Sequence, residues 1–362
     1  MAGLTGVLAG LVGFAGPASA SFTSQPVPLA WTSDSPVHAL TVHGGVVYVG
    51  DATTIAALDA STGSAIWTTN TDGDVRAIAL SSDGSTVLVG GAFTSVGGTT
   101  HRHLAAMTVS TGSVLTAWKA GTTGVVRDLV VSGDKVYVGG QFGKISGVAE
   151  RGLGAITVST GKRDATFDAH VDKNVWGLAL NGSTLIAGGS FTTVNGIPRA
   201  SIASFNLGNG GATTSWSPTR LCAGCNSYWD VATDGTNAYV GTSGPGGAFG
   251  AFNLTTGRQP WPYVRADGDV QAVTLGPDGL VYIGGHFNRR VGNGGTVRHL
   301  LAAVNPTNGS VDLGFAPKLF TTYPGVWALA SSSSVLFAGG NFTGVEVNGV
   351  NNHVPYLTAF PG

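Results

Sequence analysis

Along most of the chain, apolar and polar residues alternate in short runs separated by Gly, Asp, Asn and Ser. The stretches "VHALTV", "VRAIAL", "VRDLVV", "VWGLAL", "YWDVAT", "VQAVTL" and "VWALAS" each read as a strand of period two. Each leads into a second apolar run that closes on glycine: "VYVGDAT" from Val47, "VLVGGAFTSVGG" from Val87, "VYVGGQFGKISG" from Val136 and "LIAGGSFTTVNG" from Leu185. The series continues with "AYVGTSGPGG" from Ala238, "VYIGGHFNRRVG" from Val281 and "LFAGGNFTGVEVNG" from Leu336. Most copies then run through a third strand such as "HLAAMTV", a turn such as "STG", and a short strand ending in an aromatic. Those aromatics are Trp67, Trp118, Phe167, Trp216, Trp261 and Phe315.

Four short strands, a to d, recurring seven times at a period of ~50 residues are the pattern of a β-propeller. A lone four-stranded sheet cannot bury both its faces, whereas radial packing lets each sheet cover its neighbours. Small residues near the start of strand a suit a crowded centre, and the outer aromatics suit the wider gaps. The last unit stops at Gly362 one strand short, while "PLAW" (Pro28 to Trp31) aligns with "SAIW", "LTAW" and "TTSW" as an outer strand d. The expected fold is therefore all-β: a single seven-bladed β-propeller of four antiparallel strands per blade. An N-terminal outer strand completes the last blade, and Trp31 completes the ring of aromatics.

Composition supports strands and turns. Of 362 residues 58 are Gly and only 10% are charged, against about 25% charged in ordinary globular chains. Net charge is −1 and no Lys/Arg run occurs, so there is no electrostatic footprint for nucleic acid. Residues 1–20 read as a signal peptide, apolar to Phe14 and ending in "ASA" with Ala20 as the last residue removed, although no basic n-region precedes it. The run is too short and too broken to span a membrane. A secreted propeller over 21–362 follows, a monomer with no membrane attachment after cleavage. The two cysteines, Cys222 and Cys225 in "CAGC", fit a small disulfide loop of an exported protein. They do not fit a zinc site, which would need two more ligands nearby.

The corner "GG-x-F" has its own mechanics. Paired glycines such as Gly139 and Gly140 are expected to allow positive φ and close backbone approach. The following Phe93, Phe142, Phe191, Phe287 or Phe342 can plug the seam to the next blade. An Arg recurs after the corner (Arg102, Arg151, Arg199, Arg298), read as stacking on the Phe or pairing with an Asp. At these residues the chain resembles the delta-60 repeat β-propellers of exported bacterial proteins, best at Gly188 to Ala203, "GGSFTTVNGIPRASIA". That resemblance implies a propeller and export, and no settled activity. A weaker likeness links "ALDASTGSAIW", Ala57 to Trp67, to the "A-x-D-x-x-T-G-x-x-x-W" docking motif of quinoprotein-type propellers. Against a pyrroloquinoline cofactor stand the missing adjacent-cysteine pair and the lack of a calcium-binding carboxylate cluster. No cofactor and no metal site are expected.

What blades share is mostly fold; what one blade changes is more informative. The second position of strand a varies most: His38, Arg76, Arg127, Trp176, Trp229, Gln271 and Trp327. These are expected around the mouth of the central channel, where Trp platforms beside Arg suit a sugar or an acidic sugar. Packing between blades is the structural alternative for the Trp residues. The third position holds Asp128 and Asp230 where other blades carry Ala or Gly. Either Arg127 or Arg76 pairs with Asp128 structurally, or Asp128 and Asp230 face the channel and bind a cation or a ligand hydroxyl. The enlarged loop "SPTRLCAGCNSYW" is either a rim of the binding face or a device that tightens one junction. "TDGDV" and "ADGDV" (Asp72, Asp74, Asp267, Asp269) read as ordinary turns. No catalytic set is recognisable. The leading function is a binding or interaction module for a glycan or an extracellular protein partner. The alternatives are an extracellular polysaccharide-acting enzyme using Asp128 and Asp230, or a quinoprotein-like propeller.

Overall fold

In the computed structural model the described residues are 21–213, 215–244, 246–292, 294–321 and 325–362. The segment read as a signal peptide lies outside them. The described residues form strands and turns with no α-helix. Seven antiparallel sheets follow one another along the chain, each built outward in sequence order. Their first strands are Ala39–His43, Val75–Leu80, Val126–Ser132, Val175–Asn181, Ser227–Thr233, Val270–Leu275 and Val326–Ser331. The first strands of successive sheets touch, and that of the seventh touches that of the first.

Three of these sheets, the first, third and fifth, have four strands, and the other four have three. In the second, fourth and sixth the outermost chain is reduced to single bridges, Met107 to Val114, Phe205 to Ala212 and Val304 to Val311. In the seventh sheet the bridge is supplied from the other end of the chain, Val27 to Ala359.

Glycine explains how closely the sheets pack. The first glycine of each corner makes room for a residue at the start of the next sheet. A Cβ on Gly50 would lie 2.5 Å from Val75, one on Gly139 3.0 Å from Val175, and one on Gly284 2.5 Å from Val326. Gly339 receives Val37 in the same way, which joins the seventh sheet to the first. The second glycine would drive a Cβ into backbone: Gly91 into the Asp74 carbonyl and Gly285 into that of Asp269. None of these corner glycines has positive φ. The sequence expectation is thus corrected: close approach alone explains the pairs. The left-handed residue comes later, at His103, Gly152, Ser201, Leu300 and Tyr356.

The outer aromatics dock on the next sheet. The indole Nε1 of Trp67, Trp118 and Trp261 donates to Val109 O, Val158 O and Pro306 O, each at 2.8 Å, and that of Trp216 to Asn253 O at 3.0 Å. The turn glycine of the receiving sheet lies against the ring: Gly112 on Trp67, Gly161 on Trp118 and Gly309 on Trp261. At the chain start the side chain over the equivalent Gly63 is Leu29, while Trp31 offers only its amide to Gly63 O at 2.9 Å. Trp31 therefore does not take the place of a seventh docking aromatic.

The recurring arginines fall into two columns. Arg199 and Arg298 stand two residues before the left-handed position, in the place of His101 and Glu150, and are buried. Their guanidinium groups bond backbone carbonyls, Thr213 O at 3.5 Å and Asp312 O at 2.6 Å. Arg102 and Arg151 lie one position later and are exposed. Carbonyl clamping thus replaces the expected Phe stacking or Asp pairing.

Candidate functional site

One backbone device aims six of the seven variable side chains. In six sheets the pairing of the first two strands slips between the residues flanking the second position: Val75/Ala77, Val126/Asp128, Val175/Gly177, Tyr228/Asp230, Val270/Ala272 and Val326/Ala328. The residue skipped is Arg76, Arg127, Trp176, Trp229, Gln271 or Trp327. A bulge takes its extra residue out of the in–out alternation and re-aims the side chain. His38 stands at the same place just before the first strand, its amide on Gly50 O at 2.9 Å. The structure brings all seven together, with His286, around one cavity of about 360 Å³.

The rings stand in pairs. His38 stacks on Trp327 with centroids 4.5 Å apart and planes 3° from parallel, and Trp176 meets Trp229 at 5.1 Å and 36°. The Arg127 guanidinium lies over the Trp176 ring, 4.9 Å from its centroid, and its Nη2 donates to Gln141 Oε1 at 2.9 Å. Arg76 is ion-paired with Asp74, whereas Arg127 has only the neutral Gln141 amide as side-chain acceptor. Burial, then the neighbouring Arg76, lowers the Arg127 pKa to about 10. Burial, then Arg76, lowers His38 to about 4, so its imidazole is neutral at pH 7. The cavity wall thus carries one partly buried cation with no carboxylate hydrogen-bonded to it among the described residues, beside flat aromatic faces. Five buried polar atoms on it have no protein partner: His38 Nδ1, Arg76 Nε, Trp176 Nε1, Trp229 Nε1 and Gln271 Oε1. Buried polar atoms in native proteins are almost always bonded, so these five mark the places on the wall where a further polar partner could be accommodated.

Asp128 and Asp230 line a second cavity of about 220 Å³ whose walls share the same ring of side chains. Each carboxylate ties two sheets together. Asp128 accepts Leu129 N at 2.7 Å and Leu178 N at 2.6 Å; Asp230 accepts Val231 N at 2.8 Å and Val273 N at 2.7 Å. The expected pairing of Asp128 with Arg127 or Arg76 is not made, because both arginines are turned to other partners by their bulges. Burial and then the Asp230 charge raise Asp128 to about 8, and burial raises Asp230 to about 6. The amide donors work against these shifts without cancelling them.

Cys222 and Cys225 form a disulfide, but it does not line the cavity. Leu221 presses on Gly250, its amide donates to Tyr228 Oη at 3.0 Å, and Cys225 is buried in the core between the fourth and fifth sheets. This favours the junction-tightening reading of the loop. Among the described residues no group of three or more His, Cys, Asp or Glu is placed to hold a metal ion. With Asp128 and Asp230 engaged by backbone amides and the disulfide in a seam, the residues do not fit a pyrroloquinoline site of the quinoprotein kind. His286 and Gln141 were missed by sequence reasoning. Both occupy the "x" of "GG-x-F", a second variable column (Ala92, Gln141, Ser190, His286, Asn341) that could have revealed them.

No curated protein matches the chain. Among solved structures, the WD40 β-propeller domain of Doa1 aligns with a TM-score of 0.63 at 13% identity, covering 94% of this chain and 97% of that one. The computationally designed protein Ika8 aligns with a TM-score of 0.57, also at 13% identity, covering 93% and 100%. At such identities the likeness is one of fold, and the fold is a β-propeller. The family described as outer membrane protein assembly factor BamB matches residues 28–263, more than half of the chain, and the chain belongs to that family of quinoprotein-type β-propellers.

Proposed function

We propose that the chain is an exported, closed seven-bladed propeller, with residues 21–362 following a signal peptide, and that it binds an acidic glycan at the central cavity. The observation that carries this reading is the convergence of seven side chains, six of them at bulges, on one wall, with unbonded polar atoms between aromatic faces. Indole faces suit the apolar face of a pyranose, and the Trp176 and Trp229 N–H groups suit its hydroxyls. Arg127 supplies a charge-assisted bond to a carboxylate. The first-strand contacts, and the Gly339–Val37 fit, support a ring of seven blades. Within the propellers, the corner motif at Gly188–Ala203 supports a place among the delta-60 repeat group.

Binding of oligogalacturonate, followed by tryptophan fluorescence and calorimetry, tests the reading. Trp229→Ala is expected to weaken it by about tenfold or more, and Arg127→Gln to abolish the preference over a neutral oligosaccharide. Failure of the wild-type chain to bind any acidic sugar on a glycan array would overturn it. A protein partner is the second reading, supported by the family's description as an assembly factor. The polysaccharide-acting enzyme is less favoured, because both carboxylates already serve as inter-sheet acceptors. Release of product from oligogalacturonate over days would restore it.

A further inference from the structure

Where the second and third sheets meet, one residue of a recurring turn has changed. In three other junctions an aspartate before the first strand accepts amides from the corner of the next sheet. Asp72 accepts Thr94 N and Ser95 N at 2.7 and 2.8 Å, and Asp172 accepts Thr192 N and Thr193 N at 2.7 and 3.0 Å. Asp267 accepts Asn288 N and Arg289 N at 3.1 and 3.3 Å. Between the second and third sheets the residue is Thr123, whose hydroxyl accepts Gly143 N and Lys144 N at 3.1 and 3.0 Å. The turn geometry is preserved and the negative charge is gone.

Cations have gathered around this neutral position. Arg102, Lys119 and Lys144 line a cavity of about 380 Å³ with Thr123, Ser146 and His101, and no carboxylate lies in its wall. None of the three cations belongs to an ion pair among the described residues. His101 is 3% exposed, and its Nε2 is buried without a partner. The structurally equivalent residues each make one bond, Glu150 to Arg163, Arg199 to Thr213 O and Arg298 to Asp312 O, while also leaving a buried atom without a partner (Glu150 Oε1, Arg199 Nε, Arg298 Nε); His101 differs in standing among three cations. Burial and then Lys119 hold His101 below its usual value, so the ring is a neutral donor–acceptor beside three positive charges.

We infer that this junction is a second ligand site, one that takes an oxyanion group (a carboxylate, sulfate or phosphate) between Arg102, Lys119 and Lys144, with His101 Nε2–H as a buried donor. Three unpaired cations attract such a group, and the missing aspartate removes the repulsion that the equivalent junctions would exert. The site lies outside the lining of the central cavity and does not depend on the function proposed for it.

The test is an NMR titration of the whole chain at constant ionic strength in sodium chloride, with inorganic sulfate in one arm and trigalacturonate in another. Saturable shifts of the His101 ring resonances and the Gly147 amide are expected in at least one arm. Sulfate alone would identify a free small oxyanion as the ligand, and trigalacturonate alone a sugar acid. Thr123→Asp restores the recurring acid and is expected to weaken binding by about tenfold or more, as is Lys119→Gln with Lys144→Gln. Trp229→Ala should leave these shifts intact. No saturable His101 shift in either arm would overturn the site, as would unchanged affinity in the variants or loss of the signal in Trp229→Ala.

Discussion

Asp128 receives one amide from its own strand and one from the next sheet, Leu129 N and Leu178 N, in a place where most blades carry only Ala. A raised carboxyl pKa means that the folded state keeps a proton the unfolded state has released. For Asp128 that holds from about pH 4 to about 8, and for Asp230 from about 4 to about 6. Stability from these groups is present at the acid end and lost as pH rises through the window. His38 acts in the opposite sense: its lowered pKa costs stability as pH falls from 6.5 towards 4. His101, His103, His286 and His299 are lowered as well and oppose the Asp128 slope around pH 6.5, so the Asp128 contribution is read against Asp128→Asn: the wild-type thermal midpoint is expected to fall relative to that variant's between pH 6.5 and 8. Asp230→Asn removes the charge that repels Asp128 and should shrink that slope, whatever it does to overall stability. A difference between wild type and Asp128→Asn that is flat or rising over this interval would sink the assignment. The two carboxylates were legible as outliers in a column of Ala and Gly, but their partners were not. A bulge is a property of two paired strands, and nothing in "VRDLVV" alone announces that Arg127 turns away from Asp128.

At the scale of elements, the turn–indole contact that joins sheets is the most repetitive feature. In the "STG" turn of the first sheet, Asp59 Oδ1 accepts Ser61 N and Thr62 N, and Gly63 takes φ +70°. What the strings could not show is that the glycine also receives an aromatic ring from the preceding sheet. Gly112 has φ +66° and a Cβ there would collide with the Trp67 ring; Gly182 has φ +56° with nothing within 4 Å. Alanine at Gly182 meets only the left-handed backbone penalty, about 1 kcal/mol. Gly112→Ala adds the lost docking contact and is expected to cost roughly 2–4 kcal/mol. Urea unfolding of the two variants compares them directly, and equal losses would show that the indole contact is dispensable. The disulfide belongs to this scale too. It closes a loop between residues three apart, so its loss by Cys222→Ser with Cys225→Ser should cost only about 2 kcal/mol. Leu221 on Gly250 would still hold the loop.

For the whole molecule the critical junction is where the chain ends meet. Pro28 to Trp31 read as an outer strand because "PLAW" matches the d-strand column, but the bonds to the last strand fall earlier, at residues 23 and 27, while Ala30 N and Trp31 N reach Thr62 O and Gly63 O of the first sheet. Thr23 N reaches Pro361 O at 2.7 Å and Val27 N reaches Ala359 O at 2.8 Å. Ser24 Oγ accepts Ala316 N at 2.7 Å, Phe22 packs edge-on to Tyr282, and Ser33 Oγ donates to Asp51 Oδ2 at 2.6 Å. The segment thus touches the sixth, seventh and first sheets, which no local pattern could reveal. The aromatic match at Trp31 misled by two residues because the docking position is filled by Leu29. Removing 21–34 would bare the Leu357–Pro361 strand as an open edge and uncover the core around Phe22, which is 3% exposed. Burial of one Phe stabilises by about 1.5–3 kcal/mol, and the lost hydrogen bonds add ~1 kcal/mol each. The truncated chain is therefore expected to lose at least ~3 kcal/mol, to melt several degrees lower and to associate through its free edge. Adding a peptide of residues 21–34 in trans should recover part of the loss and suppress association. A melting midpoint that does not change on truncation would mean that the ring holds without this strand.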